Sequence, residues 1–204
     1  MINSEHKNET LESIFTRHSI RNYDDKPVDK DLIHTILQAA NQAPSAHNSQ
    51  SWRFIIIKGE KKKDLVDLIN KTAGDLPRTS SALLRMSSRS ISSASIVIAV
   101  TNTGELVNNG QKMFKISQEK AHDFFRTMEI QNSSAAVENL MIAANSLGLG
   151  TVWLGILFLI KKEILDFLGE PDGEFMAVIP VGYPKREAKS PKKRDLDIIA
   201  KELK

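Results

Sequence analysis

Three consecutive isoleucines occupy the middle of "RFIIIK", residues 53–58. Successive side chains of a strand point to opposite faces, so a run that is apolar at every position calls for burial on both sides. The segment is therefore expected to be a core strand of a covered sheet. "SIVIAVT", 95–101, is a second such strand, and "EFMAVIPVGY", 174–183, is a third, ended by Gly182 and Pro184. Another apolar segment lies at 151–157.

Helical periodicity fills much of the remainder. Thr10 can cap a first helix with Leu11, Ile14, Phe15 and His18 at helical spacing. Asp29 can cap "DLIHTILQAANQA", whose stripe is Leu32, Ile33, Ile36, Leu37 and Ala40, with Pro44 just beyond it. Lys61 to Lys71 is amphipathic through Leu65, Val66, Leu68 and Ile69. Ser133 or Ser134 is expected to open a helix with Val137, Leu140, Met141, Ala144 and Leu147 on one face and Gly148 as its stop. A short helix is expected at about 160–168. The Ser- and Arg-rich stretch 72–95 and the polar "TGELVNNGQKMFKIS" give weak signals, and the second reads as a mobile surface segment. Helices and strands do not alternate regularly, which favours α+β over a doubly wound sheet. The 204 residues suit one domain, 1–204, with residues 1–10 flexible and 185–204 forming a C-terminal extension.

Composition narrows the function. The chain has no Cys, which removes disulfides, thiolate ligands and a Cys nucleophile and is compatible with a cytoplasmic setting. Its five His show no helical metal-ligand spacing, so no metal site is expected. Gly-x-Ser-x-Gly is absent. "GLGTVWLG" follows a helix instead of a strand and has Trp153 where a dinucleotide fingerprint needs its third Gly. "LGLGTVWLGILFLI", 147–160, is shorter than a membrane span and holds three glycines, so no membrane association is expected. Six cations and one Glu lie within "KREAKSPKKR", 185–194, without interleaved aromatics, which makes nucleic acid a poor partner. "RHSIR", 17–21, can direct two Arg and a Ser at one anion, or simply complement a helix C-terminus.

"RHSIR", then "APSAHNSQSW", then "GLGTVWLG", "PVGYP" and a basic "KKR" occur in an order and at separations that resemble the FMN-dependent nitroreductase family, across about residues 11–195. The resemblance implies a nitroreductase-like fold, with a central, mostly antiparallel sheet surrounded by helices in an interlocked homodimer. It implies FMN as cofactor, NADH or NADPH as reductant, and a small-molecule electron acceptor such as a nitroaromatic or quinone, reduced by ping-pong hydride transfer. Dehalogenation, flavin cleavage or flavin binding without turnover are the alternatives on the same fold.

By that resemblance Arg17, Ser19, Arg21, Lys192 and Arg194 hold the FMN phosphate and ribityl chain, and the His18 ring also faces the flavin. Pro44, Ser45, Asn48 and Gln50 pack against the flavin from the partner subunit, with Ser51 where the family usually has Pro. Leu154 and Gly155 bring backbone N–H to the ring edge. No catalytic side chain is expected, because the flavin carries the redox chemistry. His47 reads as a surface or pocket residue, and Trp153, Phe124 and Phe125 as core or pocket wall. The variable part of the pocket is expected from 72–92 and 105–130. No 2′-phosphate site for NADPH is recognisable in the sequence.

Overall fold

The computed structural model describes residues 8–110, 112, 117–186 and 190–203. Four strands form one sheet in the order β1-β2-β4-β3, where β1 is Trp52–Ile57, β2 is Ile96–Asn102, β3 is Gly150–Thr151 and β4 is Glu174–Gly182. All three pairings are antiparallel. Eight α-helices occur among the described residues, the last of them an exposed turn in the tail: α1 Glu9–Thr16, α2 Lys30–Asn41, α3 Glu60–Ala73, α4 Arg78–Ser93, α5 Glu105–Gly110, α6 Gln118–Ser146, α7 Lys161–Leu168 and α8 Leu196–Ile199. The class is α+β, as the irregular order of periodicities implies.

Alternation along β2 divides the core into two layers. Val97 and Ala99 point into a cluster with Leu65 and Ile69 of α3, Leu84 and Ile91 of α4, and Ile164 of α7. Ile96, Ile98 and Val100 point the other way, to Ile33 and Ile36 of α2 and Val137, Leu140 and Ala144 of α6. Every residue of β2 is buried. β1 differs from expectation. Paired only with β2, it is a sheet edge, and Ile56 is left 43% exposed. Burial on both faces belongs to β2 and the second half of β4.

Three boundaries move for local reasons. Asn8, not Thr10, caps α1 by accepting the N–H of Leu11 at 2.9 Å, and Ile14 and Phe15 on the expected apolar stripe are exposed. Ser117 opens α6, fifteen residues or more before Ser133 and Ser134, so this helix runs for 29 residues. Ser133 is buried within it and donates to the Asn102 side chain. The weakly patterned 72–95 region is mostly the helix α4, whose Ser87 and Ser90 hydroxyls satisfy themselves on the carbonyls of Leu83 and Met86. The remaining boundaries follow their caps. Asp29 accepts the N–H of Asp31 at 2.8 Å to start α2, and Gly148, at φ +74°, turns the chain after α6.

Candidate functional site

The "RHSIR" segment is not helical. α1 ends at Thr16, and residues 17–21 run extended beside β3, with Ser19 bridging Thr151 and the Ile20 N–H donating to the Thr151 carbonyl at 2.9 Å. Extended backbone has a period of two, which separates Arg17, Ser19 and Arg21 from His18 and Ile20. Ile20 is the inward residue and is buried. Tyr23 fixes the end of the segment: its buried hydroxyl donates to the Ile20 carbonyl at 2.6 Å and lies 3.2 Å from that of Pro180 on β4. Burial pushes the Tyr23 pKa far above its ordinary value, so this group remains a neutral donor. Gly150 is required nearby, because a Cβ there would lie 2.8 Å from the Ile20 side chain.

Arg21, Leu154 and Gly155 line one cavity of about 210 Å³, together with Leu83, Met86, Ser87 and Ser90 of α4 and with Trp153. Of the two backbone donors expected there, that of Leu154 is committed to the Val178 carbonyl at 3.0 Å. Gly155 begins a 3-10 helix, Gly155–Ile160, and its N–H has no partner among the described residues. A Cβ on Gly155 would meet only the Trp153 ring, at 3.6 Å, so the fold itself does not demand glycine here. Trp153 is half-buried against the α2–α6 layer and serves as both wall and core.

His18 faces a second cleft, of about 570 Å³, with Thr16, Ile20, Asn145, Gly148–Gly150, Pro184 and Arg186. Its Nδ1 lies 2.8 Å from the Thr16 carbonyl, which can only accept, so the neutral ring carries its proton there. The Nε2 lone pair is buried and has no partner among the described residues. Arg17 does not line the Arg21 cavity and pairs with Glu138 of α6 at 3.5 Å. Lys192 and Arg194 are exposed. The Ser190 hydroxyl makes a long contact, 3.5 Å, to the Thr16 carbonyl and so brings the tail back to the end of α1.

Pro44, Ser45, Asn48 and Gln50 form a separate group. His47, Asn48 and Gln50 all have positive φ, a costly conformation for residues other than glycine. The loop is held by side chains: Ser45 Oγ accepts the Gln50 N–H at 3.2 Å, and Asn132 of α6 accepts the Ala46 N–H at 3.0 Å and donates to Ser49 Oγ at 3.3 Å. Asn145 of the same helix donates to the Ser13 carbonyl and to Thr16 Oγ1. Thirteen residues of helix separate the two anchors, or about 20 Å. Within one chain, α6 thus holds the loop and the end of α1 at points about 20 Å apart. Ser51 is buried, and its carbonyl accepts the Thr103 N–H at 2.9 Å.

Sequence reasoning expected pocket wall from 72–92 but did not single out Ser87 and Ser90, both buried and both lining the Arg21 cavity. "MSSRSISS" looks like any solvated Ser-rich stretch, and only the helical repeat of Leu84 and Ile91 could have turned these serines inward. Phe125 is fully buried beneath α5, whereas Phe124 is 45% exposed and meets its ring edge-on at 5.1 Å. A third cavity, of about 450 Å³, lies at the far end of β4 beside Glu129, Arg126 and Glu174. Burial raises the Glu129 pKa, although its carboxylate accepts the Leu106 N–H at 2.8 Å. No helix among the described residues is long and apolar enough to cross a membrane.

Comparison with known proteins agrees with this architecture. The sequence profile of the Nitroreductase family matches residues 14–183. A protein of Archaeoglobus fulgidus named "Putative NADH dehydrogenase/NAD(P)H nitroreductase" is 32% identical over 182 residues, covering 88% of this chain and 87% of that one. The FMN reductase [NAD(P)H] of Bacillus subtilis is 29% identical over 198 residues, covering 91% and 70%. A crystal structure from Parabacteroides distasonis, of a protein bearing the same name as the archaeal one, superposes with a TM-score of 0.70 at 28% identity, over 96% of this chain and 98% of that one. With its antiparallel sheet, its surrounding helices and a profile match over most of its length, the chain belongs to the Nitroreductase family.

Proposed function

We propose that the protein is a flavin-dependent NAD(P)H oxidoreductase that binds FMN and reduces a small-molecule acceptor such as a nitroaromatic or quinone, turning over by ping-pong hydride transfer. The observation that carries this reading is the cavity where Arg21, the free N–H of Gly155 and the hydroxyls of Ser87 and Ser90 meet the apolar Met86 and Leu154. A flavin ring has apolar faces and a polar edge, and this wall supplies partners for both. Bound FMN would supply the hydride chemistry, taking reducing equivalents from NAD(P)H and passing them to the acceptor.

The chain's own residues bind, orient and shield. Arg21 and the Gly155 N–H would place positive charge and a fixed donor at the polar edge, a preorganised arrangement that stabilises negative charge. Arg17, Ser19, Lys192 and Arg194 would hold the phosphate and ribityl chain. His18 offers a buried acceptor at Nε2 that suits a ribityl hydroxyl. Pro44, Ser45, Asn48 and Gln50 would complete the site from a second copy of the chain, which the roughly 20 Å along α6 between their anchor and that of the end of α1, just before "RHSIR", favours. Leu154 keeps its N–H for β4, so its part is to hold the side of the cavity.

The test is anaerobic titration of protein loaded with FMN. NADH or NADPH should bleach the flavin absorbance, and a nitroaromatic or quinone should restore it, in a homodimer by sedimentation. A protein that takes up no FMN, or whose FMN is not bleached by either reductant, overturns the proposal.

A further inference from the structure

α4 carries Arg78, Arg85 and Arg89 and no acidic residue. Spacings of seven and four residues place the three within about 40° of one another around the helix. The buried Leu84 and Ile91 point away from this edge. All three arginines are exposed, and none forms an ion pair among the described residues. The arrangement is unfavourable alone. Arg85 and Arg89 are like charges at i, i+4, and Arg78 opens the helix where the macrodipole already favours an anion. An anion held along this edge would relieve both conflicts.

The position of the stripe indicates which anion. Met86, 48% exposed, lies about 80° round the same helix from the stripe, and Leu83, 42% exposed, about 60° further on; both line the cavity of Arg21 and Gly155. One continuous surface therefore runs from that cavity, across an apolar patch, to a row of guanidinium groups.

We propose that Arg85 and Arg89 receive a phosphate monoester, the 2′-phosphate of NADPH, with the adenine resting on Leu83 and Met86, and that the protein accordingly prefers NADPH to NADH. The inference rests on reading the Arg21 cavity as the flavin face that the reductant approaches. A dianionic phosphate takes paired N–H donors from a guanidinium, and NADH has no group to offer this edge. Arg78, about two turns further along, adds to the field that draws the phosphate in. FMN also carries a phosphate monoester, but the apolar patch between stripe and cavity fits a base better than a ribityl chain.

The experiment compares wild-type protein with the double variant Arg85→Gln/Arg89→Gln. Binding of adenosine 2′,5′-bisphosphate and of 5′-AMP is measured by calorimetry, FMN affinity by fluorescence, and kcat/KM with both reductants. Loss of each charge-assisted contact should weaken 2′,5′-bisphosphate binding by about tenfold and lower the NADPH-to-NADH ratio of kcat/KM in parallel. Wild-type protein that binds the two nucleotides equally, or a variant that retains the wild-type ratio, overturns the proposal. A variant whose FMN affinity falls instead assigns the stripe to the flavin phosphate and also overturns it. If neither reductant bleaches bound FMN while the bisphosphate preference persists, the reductase reading fails and the phosphate edge stands. Both substitutions lie on an exposed helix face, and a thermal melt verifies the fold of the variant.

Discussion

Leu154 gives its backbone N–H to the Val178 carbonyl at 3.0 Å, and the next residue, Gly155, is left with an N–H directed to no acceptor among the described residues. β4 thus holds one end of the loop while the other end faces the cavity. Because a Cβ at Gly155 would stand 3.6 Å from the Trp153 ring, Gly155→Ala should fold normally, with stability equal to wild type or greater by about 0.4–1 kcal/mol from reduced freedom of the unfolded chain. The same methyl group would intrude on a flavin edge. FMN affinity or reductase kcat should therefore fall while stability does not. Full activity in the variant would show that Gly155 is not at the ring.

Arg17→Ala and Arg194→Ala should each weaken FMN retention by about tenfold, the worth of one charge-assisted contact. Arg17 also pairs with Glu138 at 3.5 Å, but the Glu138 side chain is half-exposed, and such pairs contribute about 0–1 kcal/mol. Glu138→Gln is the control: it removes the pair and should leave FMN affinity near wild type. Equal loss in Arg17→Ala and Glu138→Gln would mean that the arginine acts through the fold.

Glu129 provides a pH signature. Its carboxyl is buried, holds the Leu106 N–H, and lies near Glu174, which is itself paired with Arg126 at 2.5 Å. Burial raises its pKa in the folded state, so folded protein keeps a proton that unfolded chain releases. Stability linked to this group is present below the ordinary Glu range and is lost as pH rises through the raised value. Glu129→Gln keeps a carbonyl acceptor for Leu106 and removes the titration. The wild-type melting temperature should fall relative to that of the variant as pH increases over that window; parallel curves would mean that Glu129 does not titrate differently in the two states.

Gly150→Ala tests the docking of the "RHSIR" segment. The added methyl would lie 2.8 Å from Ile20, so the segment must move or the sheet must open. A cost of about 1–3 kcal/mol in chemical denaturation is expected, as for other overpacked sites. FMN affinity should fall with it, because Ser19 and Arg21 are carried on the same backbone.

The sequence reveals what apolar repetition can carry. β2, β4, α2 and α3 are read from their stripes, because each buries a regular face in one of the two layers. Polar surroundings hide the rest. α4 escapes because serines that bond their own helix carbonyls resemble a loop composition, and the first half of α6 escapes because its exposed Glu, Lys and Asp mask the helix that Ser117 caps. For the candidate site, Arg21, Leu154 and Gly155 are recognised through a family pattern, whereas Ser87 and Ser90 reach the cavity only through the rotation of α4. The exposed Ile56 of β1 and the exposed Ile14 and Phe15 of α1 break the apolar pattern from which these elements are read, because an apolar repeat does not record which of its faces is covered within one chain.

α6 has one more implication. With the 44–50 loop tied to Asn132 and the end of α1 tied to Asn145, the helix is a ruler between two groups of candidate residues. Its length is a fixed number of turns, so a single inserted residue between those two asparagines would swing one anchor by about 100° relative to the other. Substitutions along its exposed face should be tolerated widely, but insertions and deletions there should not. In a library of length variants, the span 132–145 should stand out as a gap.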